Sequence, residues 1–225
     1  MHHEIAKVLN CPLCFSPGTH KLEVAHQRTF YQCSHCSLIF APYSEHLSEA
    51  DEKARYTFHN NNLLDSGYRA HLMTAIAPLL PLVPTNGRGL DFGSGPHTAC
   101  SEIFKEYGFQ VYNYDPYFAP NQEVLKQRYD FITCIEVAEH FRNPAGSFEE
   151  LHLLLKPGGV LVLSTQIKPV SQRMADWWYA RDKTHICFYS RQTFAYLAQK
   201  LEWEMVLASE VFVFRSEHRT DVGKA

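Results

Sequence analysis

The stretch "RGLDFGSGPHTAC", residues 88–100, predicts a strand, a glycine-rich turn and a helix in succession. Leu90-Asp91-Phe92 ends a short apolar segment, while Gly93 and Gly95 permit a tight turn and the close approach of a ligand. The segment "TACSEIFKEYG" that follows predicts a helix. This unit is typical of an α/β sheet that binds a ligand at the carboxyl ends of its strands.

An acidic residue follows the next predicted strand. Val111-Tyr112-Asn113-Tyr114 leads to Asp115, which stands twenty residues after Gly95. At that spacing an acidic side chain meets the hydroxyl groups of a bound ribose. We therefore expect Asp115 to take part in ligand binding.

Further strands and helices alternate along the rest of the chain. "RYDFITCIE" predicts a third strand, "NPAGSFEELHLLLKPGG" predicts a helix, and "VLVLSTQI" predicts a fourth strand. "RQTFAYLAQKLEW" predicts a last helix, and "EMVLASE" and "VFVFRSE" predict two strands that form an antiparallel end. The alternation predicts a doubly wound, Rossmann-like, mostly parallel α/β sheet.

Four of the seven cysteines form two C-x-x-C pairs near the start of the sequence. Cys11-Pro-Leu-Cys14 and Cys33-Ser-His-Cys36 are separated by 18 residues, a spacing typical of a tetrahedral zinc site. Two disulfides are the alternative, and they suit a secreted protein, whereas the first residues lack the apolar segment of a signal peptide. The cysteines therefore predict a small zinc ribbon.

The spacing of these features divides the chain into three parts. We expect a zinc ribbon over residues 1–42, a polar linker or lid over 43–64 and the main domain over 65–225, which opens with a helix over about 65–80. A polar cluster ends the middle part and is either a solvated loop or a lid over the main site. Its members are Tyr56, His59, Asn60, Asn61 and Asn62.

Composition limits the partners of the chain. The 225 residues are 45% hydrophobic and 20% charged, enough for one α/β core and a small appendage. The formal net charge of -3 and the pI of about 6.5 give no basic field for a long nucleic-acid backbone. No apolar stretch reaches the roughly 20 residues of a membrane helix. We expect a soluble, cytoplasmic protein.

Several motifs in order carry a family resemblance. "LDFGSGP", the acidic end of the second strand, "YDFITCIEVAEHF" and "LLKPGGVLVLST" resemble the class I S-adenosylmethionine-dependent methyltransferases over roughly residues 65–215. The resemblance implies S-adenosylmethionine as cofactor, with Asp91, Gly93 and Gly95 along its methionine part and Asp115 at its ribose. We also expect Tyr68 and Glu136 to contact the cofactor.

The sequence departs from that family after Asp115. Only thirteen residues separate Asp115 from Tyr129, where family members often fit an additional helix, a strand and an adenine-binding acidic residue. We interpret "NQEVLKQ" as a shortened replacement for that strand.

"CIEVAEHF", residues 134–141, places Glu136, Glu139 and His140 where a strand ends. In one interpretation the pair 139–140 only caps a helix N-terminus, which favours carboxylates. In the other, "ExxEH" plus the later His185 resembles the metal-dependent small-RNA 3′-terminal 2′-O-methyltransferases and the ubiquinone-pathway O-methyltransferases. The resemblance then implies a divalent cation on all four residues. Two carboxylates favour Mg²⁺, and two imidazoles shift the preference toward Mn²⁺, Co²⁺ or Zn²⁺.

His185, His140 and Tyr189 are the predicted catalytic residues. A cation lowers the pKa of an acceptor hydroxyl, and a vicinal diol or catechol would chelate it. Without a metal, His185 could act alone as general base, oriented by Asp182 and Tyr189. The aromatic run in "ADWWYARD", residues 175–182, predicts either an acceptor pocket or lid, or a part of the core.

Three functions fit these patterns. The leading one is methyl transfer to an oxygen or another nucleophile of a small molecule, with the ribbon bracing the acceptor site. The second is an RNA methyltransferase whose ribbon binds structured RNA, although residues 1–40 hold few basic residues: Lys7, Lys21 and Arg28. The third is a non-catalytic module that only binds the cofactor. The sequence leaves the oligomeric state open.

Overall fold

The computed structural model describes residues 9–57, 65–209 and 211–217. The strands in this part of the chain are β1 Thr19–Ala25, β2 Arg28–Cys33, β3 Ile39–Phe40, β4 Arg88–Phe92, β5 Gln110–Tyr114, β6 Tyr129–Ile135, β7 Leu155–Ser164, β8 Cys187–Phe188, β9 Trp203–Ala208 and β10 Phe212–Ser216. The α-helices are α1 Glu49–Tyr56, α2 Ser66–Leu79, α3 Ala99–Glu106, α4 Pro144–Leu154 and α5 Arg191–Lys200. None of these helices combines the length and the apolar character needed to span a bilayer.

The central sheet has six strands in the order β5-β4-β6-β7-β10-β9. Strands β5, β4, β6 and β7 pair in parallel, whereas β10 runs antiparallel to both β7 and β9. Leu90, Ile132 and Leu161 in the central strands are fully buried, as expected for parallel strands covered on both faces. The predicted Rossmann-like, mostly parallel sheet with an antiparallel end is confirmed.

The predicted replacement strand "NQEVLKQ" is wrong. Gln122–Lys126 form a 3-10 helix, which begins where the Asn121 side chain accepts a hydrogen bond from the Glu123 amide at 3.1 Å. Within this short turn Val124 alone is buried, and its carbonyl accepts the Tyr129 hydroxyl at 2.7 Å. This short turn does not pair with β5 as a strand would. Strand β5 therefore forms the edge of the sheet.

The polar segment before α2 contains a helix that the sequence interpretation missed. Ser48 caps α1 by accepting from the Asp51 amide at 3.2 Å, and three acidic residues fill the first turn of the helix. Carboxylates there interact favourably with the helix dipole, so the acidic run is a helix start rather than a linker. The predicted lid residues His59, Asn60, Asn61 and Asn62 lie outside the described residues.

Residues 9–41 form an N-terminal cysteine module that shares a sheet with the rest of the chain. Strands β1, β2 and β3 form a small antiparallel sheet, and β8 adds a fourth strand from far along the sequence. Ile39 pairs with Phe188, and Phe40 pairs with Cys187. Phe30 of β2 packs edge-on against Phe188 with ring centroids 5.6 Å apart. The small sheet and the hydrophobic core therefore continue across the domain boundary predicted at residue 42.

Candidate active site

A cavity of about 980 Å³ opens at the carboxyl ends of β4, β5 and β6. The loops that follow these strands line it, together with α1, the start of α2 and residues 178–185. In an open α/β sheet this edge is the usual place for a ligand, because the connections diverge there.

The glycine loop after β4 needs glycine for two different reasons. Gly93 has φ +80°, and a Cβ atom there would lie 2.5 Å from the Val137 side chain. Gly95 has φ +65°, and its amide donates to Asp115 Oδ2 at 3.0 Å. Positive φ strains any residue with a side chain. The loop thus brings bare backbone to the cavity, and Asp115 holds it there.

Asp115 organises a second loop as well. Its Oδ1 accepts the amides of Tyr117 at 2.8 Å and Phe118 at 3.0 Å, and its side chain lines the cavity. The carboxylate therefore fixes both turns that border the end of β5.

Asp91 and Tyr68 line the floor of the same cavity. Thr133 donates its hydroxyl to Asp91 Oδ1 at 2.9 Å, and burial raises the pKa of Asp91 to about 6. Burial also raises the pKa of Tyr68 to about 12. Together with Glu136, all six residues predicted to contact the cofactor border one space.

Glu136 follows β6 in an unusual backbone conformation. Its φ is +54°, a region that non-glycine residues rarely adopt, and its amide donates to the Ser164 carbonyl at 2.8 Å. The carboxylate accepts hydrogen bonds from the Ser164 hydroxyl and the Tyr179 hydroxyl, each at 3.1 Å. Burial raises the pKa of Glu136 to about 7.

Glu139, His140 and His185 form an acid–histidine cluster at the cavity wall. One ligand-type atom from each lies within 4.8 Å of the others. Glu139 is fully buried, and its Oε1 accepts the Tyr179 hydroxyl at 2.5 Å. Its Oε2 has no hydrogen-bond partner among the described residues. Glu136 stands outside this group, so the predicted set of four cation ligands is reduced to three.

Backbone carbonyls fix the tautomer of both histidines. His140 Nδ1 lies 3.0 Å from the Thr184 carbonyl oxygen, and His185 Nδ1 lies 2.8 Å from that of Tyr179. A carbonyl only accepts, so each ring carries a proton on Nδ1 and turns Nε2 away from that carbonyl. Burial, and then His140, lower the pKa of His185 to about 4. The cluster therefore offers the neutral imidazole of His185, the imidazole of His140 and the carboxyl group of Glu139.

Tyr189, predicted to be catalytic, does not line the cavity. It is buried, its hydroxyl donates to the Ala138 carbonyl at 2.9 Å, and its ring stacks on Phe194. Asp182, predicted to orient His185, instead accepts from the Thr184 amide at 3.0 Å and pairs with Arg55. Both side chains support the backbone of the site, and the Asp182 charge acts on His185 only as a minor influence that raises its pKa.

Tyr179 has the orienting role instead, and the sequence interpretation did not separate it from its neighbours. Its hydroxyl contacts both carboxylates, and its ring lies 4.1 Å from the ring of His185, centroid to centroid. Trp177 is buried in the core, whereas Trp178 is 63% exposed and lines the cavity. The aromatic run thus contributes to the core and to the pocket, and no local spacing shows which ring faces which way.

Helix α1 covers one side of the cavity. Glu52 is buried and accepts hydrogen bonds from Arg142 Nε at 3.0 Å, the Tyr56 hydroxyl at 2.7 Å and the Tyr117 hydroxyl at 3.2 Å. Opposite charge and three donors compensate the burial of this carboxylate. The hydrogen bonds of Glu52 to Arg142 and Tyr117 therefore join α1 to the loops that follow β6 and β5. In the sequence, α1 is signalled by Ser48 at the cap position and by the acidic residues that follow it.

The four predicted metal-binding cysteines lie together in the cysteine module. The Sγ atoms of Cys11 and Cys36 are 3.6 Å apart, and those of Cys14 and Cys33 are 3.5 Å apart. All seven cysteines fall within the described residues, and none is in a disulfide. Tetrahedral ligands at zinc–sulfur bond length stand about 3.8 Å apart, so the donor set fits a zinc ion.

Both cysteine turns repeat one hydrogen-bond pattern. The amide of Phe15 donates to the Cys11 carbonyl at 2.9 Å, and that of Ser37 donates to the Cys33 carbonyl at 3.0 Å. Phe15 and Ser37 have nearly the same positive φ, 60° and 61°. Two equivalent turns that face each other present their thiols to one point.

Comparison with known proteins agrees with this architecture. The structure of 1,6-didemethyltoxoflavin-N1-methyltransferase from Burkholderia thailandensis, solved with S-adenosylhomocysteine bound, is similar with a TM-score of 0.56 and 16% identity, covering 88% of this chain and all of that one. Phosphoethanolamine N-methyltransferase 2 from Haemonchus contortus gives a TM-score of 0.50 at 15% identity, covering 68% of this chain and 42% of that one. At such identities the likeness shows the fold.

Sequence comparison extends the agreement. Ubiquinone biosynthesis O-methyltransferase from Pseudomonas aeruginosa (strain UCBPP-PA14) is 35% identical over 81 residues, which is 36% of this chain and 34% of that protein. The chain thus matches about a third of that relative's length. A family model described as "Methyltransferase domain" matches residues 64–208. Because this match spans more than half of the sequence, the chain belongs to the methyltransferase-domain family.

Proposed function

We propose that this protein transfers the methyl group of S-adenosylmethionine to an oxygen of a small-molecule acceptor, with the help of a divalent cation. The observation that carries the proposal is the placement of the acid–histidine cluster and the glycine loop on one cavity. A donor site and an activating site that share one space allow direct transfer between two bound substrates.

In this proposal the cofactor lies along the glycine loop. Gly93 and Gly95 leave room for its methionine part, and Asp115 meets its ribose. Asp115 already holds two loops in place, so its carboxylate is pre-oriented before the cofactor binds. Glu136 and Tyr68 complete the contacts from the neighbouring strand end and from α2.

The acid–histidine cluster fits a borderline divalent cation. Glu139 would supply the carboxylate oxygen that lacks a hydrogen-bond partner among the described residues, and His140 and His185 would supply Nε2. One carboxylate and two imidazoles favour Mn²⁺, Co²⁺ or Zn²⁺ over Mg²⁺. A cation there supplies Lewis-acid chemistry that lowers the pKa of an acceptor hydroxyl.

The protein's own residues prepare the acceptor side. The Tyr179 hydroxyl orients Glu139, and its carbonyl orients His185, so one residue fixes two members of the cluster. Helix α1 and Trp178 cover the cavity and reduce its contact with water. The acceptor hydroxyl would release its proton to water, and its oxygen would form a bond to the methyl carbon as the carbon–sulfur bond breaks, which leaves S-adenosylhomocysteine.

A metal-free mechanism with His185 as general base is the weaker alternative. With its pKa lowered to about 4, this imidazole is a poor acceptor for a hydroxyl proton. A phenol has a pKa of about 10, so the transfer is uphill by roughly 8 kcal/mol.

We propose further that the cysteine module is a zinc ribbon held by Cys11, Cys14, Cys33 and Cys36. The paired thiols and the repeated turns support this assignment. An RNA acceptor gains no support from the module, because Arg28 is buried and Lys21 is the exposed basic residue that remains among residues 9–40.

The test uses labelled S-adenosylmethionine and two isomeric acceptors, catechol and resorcinol. Catechol presents two adjacent hydroxyls that chelate a cation, whereas resorcinol does not. We expect label to enter catechol, brief treatment with chelator to stop transfer, and Mn²⁺ to restore it. Transfer that persists in chelator with the zinc content intact would refute the cation. The absence of transfer to any fraction of a cell extract would favour a non-catalytic binding module.

A further inference from the structure

Arg28 is a buried arginine of the cysteine module that reaches across to the wall of the cavity. Only 4% of its surface is exposed. Its guanidinium donates to four carbonyl oxygens, those of Ala180 at 2.6 Å, Asp182 at 2.9 Å, Lys183 at 3.3 Å and His185 at 2.8 Å. All four belong to the segment that ends with a predicted catalytic histidine.

The bond to the Ala180 carbonyl is buried, and the Asp182 carbonyl also accepts the His185 amide at 3.2 Å. The 3-10 helix Trp178–Arg181 ends at Asp182, and the last carbonyls of a helix have no partner within it. Without Arg28 the buried Ala180 carbonyl would lose this donor at a cost to the fold, so the segment would turn outward toward water. The planar fork of a guanidinium can donate to several acceptors at once, as a lysine ammonium cannot with the same geometry.

The hairpin turn that presents Arg28 is itself strained. His26 and Gln27 have φ of 51° and 62°, values that favour asparagine or glycine in a two-residue turn. A tertiary contact holds this turn, since His26 Nε2 lies 3.0 Å from the Met174 carbonyl oxygen. On the neighbouring strand, Glu23 accepts the Met174 amide at 2.9 Å. The cysteine module therefore contacts this segment at Met174 as well as at residues 180–185.

Strand pairing fixes the far end of the same segment. The Ala41 amide donates to the Ile186 carbonyl at 2.9 Å, and the Ile186 amide donates to the Glu139 carbonyl at 2.8 Å. Residues 174–188 are thus held at the start, in the middle and at the end, with Tyr179 and His185 between the anchors. Arg28 supplies the middle anchor.

We propose that Arg28 is a positioning residue, which gathers the carbonyls of residues 180–185 so that His185 lies beside Glu139 in the acid–histidine cluster. The role of His185 rests on the proposed function above, whereas the placement of its backbone does not. In this view the ribbon acts on the acceptor site within its own chain.

Two variants separate the shape of the guanidinium from its charge. Arg28→Met keeps an apolar stem and removes every donor, and Arg28→Lys keeps the positive charge but loses the fork. Arg173→Met serves as a matched control, because Arg173 also links the two parts through Glu23 but is 71% exposed. An exposed ion pair of this kind contributes about 0–1 kcal/mol.

The deciding measurement is amide hydrogen exchange in the intact protein. We expect exchange in residues 178–186 to rise by at least about tenfold in Arg28→Met, less in Arg28→Lys, and little in Arg173→Met. Exchange in the glycine loop, zinc content and affinity for S-adenosylmethionine should match the wild type. Methyl transfer to catechol should fall at least about tenfold in kcat, since misplacement by an ångström costs that much or more.

Unchanged exchange in residues 178–186 of Arg28→Met would overturn the proposal, and so would raised exchange with undiminished transfer. If Arg28→Met fails to fold, Arg28→Lys carries the same two criteria. If the wild type transfers no methyl group to catechol, the proposed function loses its support, while the exchange data still decide whether Arg28 places the segment.

Discussion

Replacing Glu139 by glutamine should stabilise the metal-free protein and abolish its turnover. Glu139 is fully buried, burial raises its pKa, and Oε2 lacks a hydrogen-bond partner among the described residues. The folded protein therefore disfavours the charged form of this carboxyl group. The amide of glutamine cannot carry that charge, and its NH₂ group brings donors to a site where Oε2 has none.

The expected gain follows from the cost of one buried, unsatisfied acceptor, about 1–3 kcal/mol. For a chain of this size each kcal/mol corresponds to about 2–4 °C in Tm. Mn²⁺ should reverse the order, because it binds the wild type and adds about 4.1 kcal/mol at a thousand times its Kd. Loss of a ligand should reduce methyl transfer by at least about 100-fold, since even partners behind the ligands cost 10–100-fold.

Thermal unfolding with and without Mn²⁺ checks the predicted change in stability. Methyl transfer to catechol checks the predicted loss of activity. Glu204→Gln is the control, because Glu204 lies on β9, is 51% exposed and pairs with Arg215 at 3.2 Å, far from the cavity. It should leave stability within about 1 kcal/mol and activity unchanged. The reasoning would be refuted if Glu139→Gln had a lower Tm than the wild type without metal. It would also be refuted if the variant kept full activity in the presence of Mn²⁺.

Three further variants address the other parts of the protein. Cys11→Ser should lose the zinc and at least about 3 kcal/mol of unfolding free energy, because structural zinc contributes to folding; metal analysis and urea unfolding measure this, with Ser34→Ala as control, and a stable, zinc-free wild type would contradict it. Asp115→Ala should weaken S-adenosylmethionine binding by about 1.5–3 kcal/mol, the scale of hydrogen bonds to a charged group; calorimetry that finds equal affinity would place the ribose elsewhere. Asp91→Asn should stabilise the protein at pH 7 by up to about 3 kcal/mol and hardly at all at pH 4, because the folded-state pKa of about 6 lies above the usual 3.8 and the stability that Asp91 contributes is lost as pH rises through 6. A gain at pH 4 that equals the gain at pH 7 would contradict this assignment.

The central sheet could be predicted from the sequence because its signals are local. A buried parallel strand is an unbroken apolar run, and the turn after β4 needs glycine where φ is positive. The cysteine turns are local in the same sense. The missing strand after Asp115 could not be assigned correctly, because a short segment with a single buried residue fits either a strand or a helical turn.

The details of the candidate site depend on contacts between distant residues. Tyr179 meets Glu139 across 40 positions of sequence, and His140 meets the Thr184 carbonyl across 44. The exclusion of Glu136 from the cluster follows from its positive φ and its bond to Ser164. No spacing rule encodes such contacts, whereas the "ExxEH" pattern with a later histidine did place three of the four residues in one cluster.

The anchoring of residues 180–185 by Arg28 also affects how the chain is made. The most distant of its carbonyl partners follows it by 157 residues. At ribosomal rates of about 5–20 residues per second, roughly 8–30 s pass before that partner is synthesised. Throughout this interval the nascent hairpin carries a guanidinium whose final acceptors do not yet exist, and β3 lacks its neighbour β8. Residues 9–41 therefore leave the ribosome well before residues 180–188 but reach their native environment only with them, and a chaperone that shields them during synthesis would act on residues 9–41.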